Sequence, residues 1–246
     1  YLVTGGGGFI GSHLVDRLLA RGCDVTVLDD FSTGRRDRID RRAEIVAGDI
    51  ADREAVRRAF AGVAGCYHLA AIASVPASFE DWVATHRVNQ TGTVTVLDAA
   101  RGDGHAAPVP VVYASSAAVY GDTGGKPMAE DLRPAPLTAY GADKRGGELH
   151  AAVAWNIHRV PTTGLRIFNA YGPRQDSASP YAGVISLFAA RIAAGLPLAV
   201  HGDGTQVRDF VYVGDVVSGL ETAMAACREG AQIHNICTGS RPRSTG

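Results

Sequence analysis

The sequence predicts an α/β fold, a doubly wound parallel sheet of Rossmann type with a smaller C-terminal substrate-binding region. Three observations carry that expectation. Short β-rich runs alternate with longer helical patterns over the first two thirds of the chain. The first run leads directly into a glycine loop, Thr4-Gly5-Gly6-Gly7-Gly8-Phe9-Ile10-Gly11. A second run, Val25-Thr26-Val27-Leu28-Asp29-Asp30, ends in carboxylates about 18 residues after the last of those glycines.

Leu2-Val3, Val25-Leu28, Ile45-Ala47, Cys66-Leu69, Val109-Tyr113 and Thr163-Ile167 read as strands, with helices near 10–21, 53–61, 84–102 and 140–158 between them. Parallel neighbours need crossovers, and helices of this length supply them. Residues 1–167 are therefore read as the dinucleotide-binding domain, whose sheet can take later strands from the rest of the chain. Residues 168–246 are read as the substrate-binding region. There the pattern weakens into Gly172-Pro173, a helix near 181–194, Gly202-Asp203-Gly204 and the run Phe210-Val211-Tyr212-Val213. The last residues, Ser240 to Gly246, hold no hydrophobic side chain and are expected to fray.

The 246 residues are 46% hydrophobic and 20% charged with a net charge of -1, enough for a sizeable core and without the basic excess of a nucleic-acid partner. Small molecules are the expected partners. Cys23, Cys66, Cys227 and Cys237 lie without paired or metal-ligand spacing, so they are read as small buried hydrophobes, and no metal is expected. No apolar run reaches membrane-spanning length and no secretory n-region or h-region opens the chain, which points to the cytoplasm. Tyr1 already lies in a strand, so an initiator Met is expected to precede it.

The glycines fit two spacings, Gly6-x-Gly8-x-x-Gly11 and Gly5-x-x-Gly8-x-x-Gly11. Either sets bare backbone N–H groups and a helix N-terminus beside an anion. Alone, that is a weak signal, since a flexible turn has the same composition. Asp29, at the end of the second strand, sharpens it. A carboxylate there accepts both ribose hydroxyls and repels a 2′-phosphate, favouring NAD over NADP. Arg35 and Arg36 are read as solvated loop charges. Asp49-Ile50, after Gly48 at the end of the third strand, suits an edge contact to adenine.

Tyr140 and Lys144 sit four apart at the start of a helix, on one face with Cβ atoms roughly 5–6 Å apart. With eight tyrosines and only two lysines in the chain, chance would give such a pair about 0.07 times. Moving a phenol from its ordinary range to neutrality takes about 4 kcal/mol, which a neighbouring ammonium and a cationic nicotinamide together can supply. Upstream, the run Val111 to Gly121 is a strand leading into a small polar turn, where Ser116 can donate to a substrate oxygen. In isolation Ser116 would be a turn or cap residue.

Together these segments resemble the extended short-chain dehydrogenase/reductase superfamily, in particular the nucleotide-sugar epimerases and dehydratases of the UDP-glucose 4-epimerase type. His68-Leu69-Ala70-Ala71, Leu165-Arg166-Ile167-Phe168-Asn169-Ala170-Tyr171-Gly172-Pro173-Arg174-Gln175 and Gly202 to Phe210 extend the match over nearly the whole chain. The resemblance implies a triad of Ser116, Tyr140 and Lys144, with Tyr140 the acid/base. It implies a cofactor site of Gly5, Gly8, Phe9, Ile10, Gly11, Asp29, Asp30, Ser32, Thr33, Gly34, Asp49, Ile50, Leu69, Ala70 and Ala71, joined by Tyr140 and Lys144. Ser116, Asn169 and Arg208 would meet the substrate, and Asn89 would support the site from a helix.

Dehydratases of this type carry an Asp and a Glu where this chain has Ala117-Ala118, and alanines transfer no proton. The resemblance therefore implies epimerisation of a UDP-hexose at C4 through a 4-keto sugar, with NAD regenerated each turnover. The alternatives are a UDP-glucuronate-type decarboxylase or epimerase, a nucleotide-sugar reductase, or a silent NAD sensor, the last disfavoured by the presence of both Tyr140 and Lys144. The resemblance also implies a homodimer, built on the helices near 84–102 and 140–158. Such enzymes usually continue past the equivalent of Gly246, so sugar specificity is expected to depend on elements beyond it.

Overall fold

The structure is a computed structural model that describes every residue except 103–106, 177–182, 201–205, 240–242 and 245–246. Strands β1 (Leu2–Thr4), β2 (Thr26–Asp29) and β3 (Glu44–Ala47) are followed by β4 (Cys66–His68), β5 (Val111–Ser116), β6 (Thr162–Ile167) and a late strand, β10 (Ala231–Ile236). These seven form one parallel sheet in the order β10-β6-β5-β4-β1-β2-β3. Winding runs one way from β1 and the other way from β4. Their carboxyl ends diverge at this switch point, where an open α/β sheet leaves a ligand crevice.

Both faces of the sheet are covered. Val3 and Val27 point to one side, into a core with Leu14, Val15 and Leu18 of α1 (Phe9–Ala20) and with Val216, Val217 and Leu220 of α8 (Val213–Ala226). Their neighbours Leu2 and Leu28 point to the other, against Val56 of α2 (Arg53–Ala59), Val96 and Leu97 of α5 (Gly92–Ala100), and Ala151 and Ala154 of α6 (Ala139–His158). Successive strand side chains alternate faces, so a sheet buried on both sides requires apolar residues at consecutive positions.

The expected helix near 84–102 is broken into α4 (Trp82–His86), a π-helical turn over Arg87–Thr91, and α5, and a short α3 (Val75–Glu80) precedes it. Strand β5 runs on to Ser116, past the expected end at Tyr113. Beyond residue 168, β7 (Asn169–Tyr171) pairs in parallel with β9 (Phe210–Tyr212), and α7 spans Val184–Ala193. The sequence pattern missed α8 and β10. The tail departs from the expected fraying: Arg243–Ser244 (β11) pairs antiparallel with Val207–Arg208 (β8). Ladder pairing uses backbone groups alone and needs no apolar side chain. The remaining tail residues, and the Gly202 to Thr205 motif, fall outside the described residues.

Candidate active site

The glycine loop leaves β1 at Gly5, which has φ +72, and enters α1 at Gly8. Gly8 N–H donates to the Gly5 carbonyl at 3.1 Å, closing the turn. A Cβ at Gly11 would collide with that same Gly5 oxygen, so only glycine lets the helix start this close to the strand. No side chain caps α1, which leaves first-turn N–H groups, around Phe9 and Ile10, for an anion.

Asp29 closes this loop from the side. Its Oδ2 accepts the Gly7 N–H and its Oδ1 the Phe31 N–H, both at 2.8 Å, and the residue is only 6% exposed. Burial pushes the carboxyl up, against those two hydrogen bonds. An ionised carboxylate has about four acceptor positions, so two remain for a ribose diol. A Cβ at Gly34 would strike this carboxylate, so the loop Ser32-Thr33-Gly34 wraps it tightly. Asp30 turns outward and accepts from the Ser32 N–H and hydroxyl, at 2.9 and 2.7 Å. Arg35 is engaged by Asp37 and Arg36 lies over the Phe31 ring, so each has a partner other than a 2′-phosphate.

Across the switch point, Thr4 Oγ1 accepts the Leu69 and Ala70 N–H groups at 3.2 Å, setting the Leu69-Ala70-Ala71 turn above the glycine loop. With both N–H groups pointing at its oxygen, the Thr4 hydroxyl donates its own proton to His68 Nδ1, 2.8 Å away. His68 Nε2–H then donates to Thr93 Oγ1 at 3.0 Å, and Thr93 donates to the Asn89 carbonyl at 2.6 Å. Asn89 returns to the loop by gripping both the N–H and the carbonyl of Ile72. The directions of these bonds require a neutral imidazole. Burial, with the Lys144 charge nearby, brings the His68 pKa down to about 3.

The catalytic candidates meet on the other side of the crevice. Strand alternation sends Ser115 and Ser116 to opposite faces. Ser115 is buried against Glu148, at 2.7 Å, while Ser116 sits at the open end and caps a 3₁₀ turn over Ala117–Tyr120 by accepting the Ala118 N–H. Thr138 caps α6, and a Cβ on Gly141 would lie 2.7 Å from the Ala118 carbonyl, so glycine there lets the helix start against that turn. This brings the Tyr140 phenol beside the Ser116 hydroxyl. Burial raises the Tyr140 phenol and the Ser116 hydrogen bond works against it. The chain by itself thus holds Tyr140 as a neutral donor. Lys144 Nζ lies 5.8 Å from the Tyr140 ring centre and donates to the Ala114 carbonyl at 2.8 Å. Burial brings its pKa down to about 8, partly offset by the charge of Asp143.

That depression is a stability cost. The unfolded chain keeps the Lys144 proton to about 10.5, so stability rises with pH between about 8 and 10.5, and the full cost is present below 8. Lys144→Met is expected to stabilise the fold at pH 7 by about 1–3 kcal/mol while abolishing activity, and to flatten that rise. Urea unfolding at pH 7 and 9.5 measures both; a less stable variant at pH 7 would contradict the assignment.

The substrate candidates lie apart. Asn169 donates through its backbone and side chain to the Asp209 carbonyl. With Arg208, Gln175 and Phe210 it lines a cavity of about 330 Å³, whereas Ser116, Tyr140 and Lys144 do not line it. Asp49 accepts from the Ala51 N–H and pairs with Arg87, and Ile50 is buried against Gly92.

Sequence reasoning missed the group that anchors α6. Glu148 takes Arg166 in a fork, Nε to Oε1 at 2.8 Å and Nη2 to Oε2 at 2.9 Å, and also accepts from Ser115 and Arg145. Arg166 continues to the Tyr120 hydroxyl, which donates to Asn235 of β10. Burial works to raise the Glu148 carboxyl, but these donors overcome it and hold the carboxyl low. Glu148 lies eight residues after Tyr140, a spacing that could have placed it near the same helix face.

The sequence model of the NAD-dependent epimerase/dehydratase family matches residues 1–237. The chain belongs to that family. Its members of known identity include the UDP-glucose 4-epimerase of Mycolicibacterium smegmatis, 38% identical over 250 residues, covering 97% of this chain and 77% of the relative. Among solved structures, the UDP-glucose 4-epimerase of Thermus thermophilus in complex with NAD superimposes with a TM-score of 0.89 at 38% identity, over 99% of this chain and 79% of that one. The Thermotoga maritima UDP-glucose 4-epimerase with UDP-glucose gives 0.91 at 34% identity, over 99% and 78%. The cofactor of this epimerase/dehydratase is NAD. Bare glycine N–H groups, an uncapped helix start and a carboxylate with spare acceptor positions fit a dinucleotide with an unphosphorylated ribose.

Proposed function

We propose that the chain interconverts UDP-hexoses at C4 through a 4-keto sugar. The observation that carries the reading is Tyr140 set beside Ser116 and Lys144, with Ala117 and Ala118 following Ser116: a proton-transfer group, and no carboxylate at those two positions to eliminate water. NAD, held by the glycine loop and Asp29, supplies a reversible two-electron acceptor when bound. Tyr140 takes the proton of the sugar 4-hydroxyl as C4 gives up hydride, and returns it to the 4-oxygen once the keto sugar has turned and C4 regains hydride on its other face. Ser116 holds the 4-oxygen throughout. Lys144 keeps a positive charge beside the phenol, favouring its ionised form. Asn169 and Arg208 anchor the UDP portion in their shared cavity, leaving the hexose free to rotate.

Residues 1–167 with β10 hold the cofactor in this reading, and the remainder of 168–246 recognises the substrate. The protein works in the cytoplasm, where its four free cysteines stay reduced; none of its described helices is long and apolar enough to cross a membrane. It acts as a homodimer. Trp82 and Val83 of α4 and Leu149, Val153 and Ile157 of α6 are exposed large apolar residues, and the last three recur at helical spacing.

Purified protein with NAD and UDP-galactose is expected to yield UDP-glucose, or the N-acetyl pair to interconvert. Failure with every UDP-hexose would refute the reading. Carbon dioxide released from UDP-glucuronate would identify a decarboxylase, and net NADH consumption with a keto sugar a reductase.

A further inference from the structure

The π-helical turn over Arg87–Thr91 interrupts a helix that the sequence pattern runs straight through. Such turns cost regular hydrogen bonding and recur where a function needs the side chains they re-aim. Two side chains here reach different parts of the cofactor crevice. Asn89 grips Ile72 beyond β4 by both its N–H and its carbonyl, at 2.8 and 3.1 Å. Arg87 pairs with Asp49 beyond β3, Nη1 to Oδ2 at 2.7 Å.

Asp49 is thereby held at both oxygens. Its Oδ1 accepts the Ala51 N–H at 2.8 Å, and with Oδ2 on Arg87 the plane of the carboxylate is set. The backbone beneath is equally constrained, because Gly92, the first residue of α5, packs where a Cβ would strike the Ile50 side chain. A carboxylate with one oxygen on a backbone donor and the other on a guanidinium keeps acceptor positions for one more donor. The exocyclic amine of adenine is such a donor. Arg87 is 56% exposed, so as a mere surface pair it would contribute little to stability. Its effect would lie in preorganising Asp49.

We propose that Arg87 is a cofactor-affinity residue, which orients Asp49 toward the adenine amine. The proposal rests on the placement of adenine at Asp49, and the two are separable by experiment. Protein is loaded with NAD or with the hypoxanthine dinucleotide, in which a carbonyl oxygen replaces the amine, and release of the bound dinucleotide is timed after dilution. Arg87→Ala is expected to release NAD about five- to tenfold faster, to leave the hypoxanthine dinucleotide near the parent rate, and to keep the parent melting temperature. Arg87→Lys, which keeps the charge without the planar fork, falls between. Asp49→Ala shows the same selective loss, and the double variant is no worse than Asp49→Ala alone. If Asp49→Ala discriminates between the two dinucleotides while Arg87→Ala releases NAD at the parent rate, or speeds both equally, the Arg87 proposal is overturned. If Asp49→Ala does not discriminate, adenine is not at Asp49 and both ideas fall.

Discussion

Tyr140→Phe is expected to lower sugar epimerisation by about 10²- to 10⁴-fold, the range attached to loss of a positioned general acid/base. The aromatic ring remains, so the packing against Lys144 and the entry of α6 survive. The lost hydroxyl gives up at most its polar contact with Ser116, about 1 kcal/mol of stability. The rate should therefore collapse while the melting temperature moves little. NAD retention should also persist, because the glycine loop, Asp29 and the Leu69-Ala70-Ala71 turn are untouched. Turnover, bound NAD after gel filtration and thermal unfolding, measured on one preparation, check all three. A variant that epimerises within tenfold of the parent would remove Tyr140 from the mechanism, and one that fails to retain NAD would show its hydroxyl to be a cofactor support instead.

The largest stability effect is expected at a residue that never touches substrate. Glu148→Gln should destabilise the fold by about 3–5 kcal/mol, the cost of leaving a buried cation without its counter-charge. The side chains of Glu148 and Arg166 are 1% and 3% exposed, so water cannot replace the lost partner. Glutamine keeps the volume, but it offers one acceptor oxygen where two received Arg166, and it turns an N–H₂ group toward a guanidinium and the Ser115 hydroxyl. The urea midpoint should fall with little change in slope. A shift under about 1 kcal/mol would mean that Arg166 is satisfied from elsewhere, such as Tyr120 and the Glu130 carbonyl. Ser115 adjoins Ser116, and Glu148 shares a helix with Tyr140, so the same cluster ties β5 to α6 behind these two candidate residues.

Much of the fold was legible locally. The β1, β2 and β4 segments have consecutive apolar residues because the central sheet is covered on both faces, and their boundaries lay within one or two residues of those read from the chain. Strand β10 escaped notice because it is an edge strand whose polar Gln232, His234 and Asn235 obscure the pattern. The helix α8 begins Val213-Gly214-Asp215, and its glycines mask a periodicity that only packing against α1 makes clear. The interrupted helix at Arg87–Thr91 has no Pro to announce it. Its side chains are committed to Asp49 and Ile72, partners 38 and 17 residues earlier by number, which no local pattern reports.

The glycine loop, Asp29 and the Tyr140–Lys144 pair were legible in the sequence alone, because each rests on spacing within one turn, one strand–helix–strand unit or one helix. Tertiary structure decided which of two adjacent serines faces the crevice, the neutrality of His68, the elevation of the unliganded Tyr140 phenol, and the burial of Glu148 with Arg166. These depend on desolvation and on partners from distant strands, and both exist only once the sheet has brought the carboxyl ends of β1, β4 and β5 together.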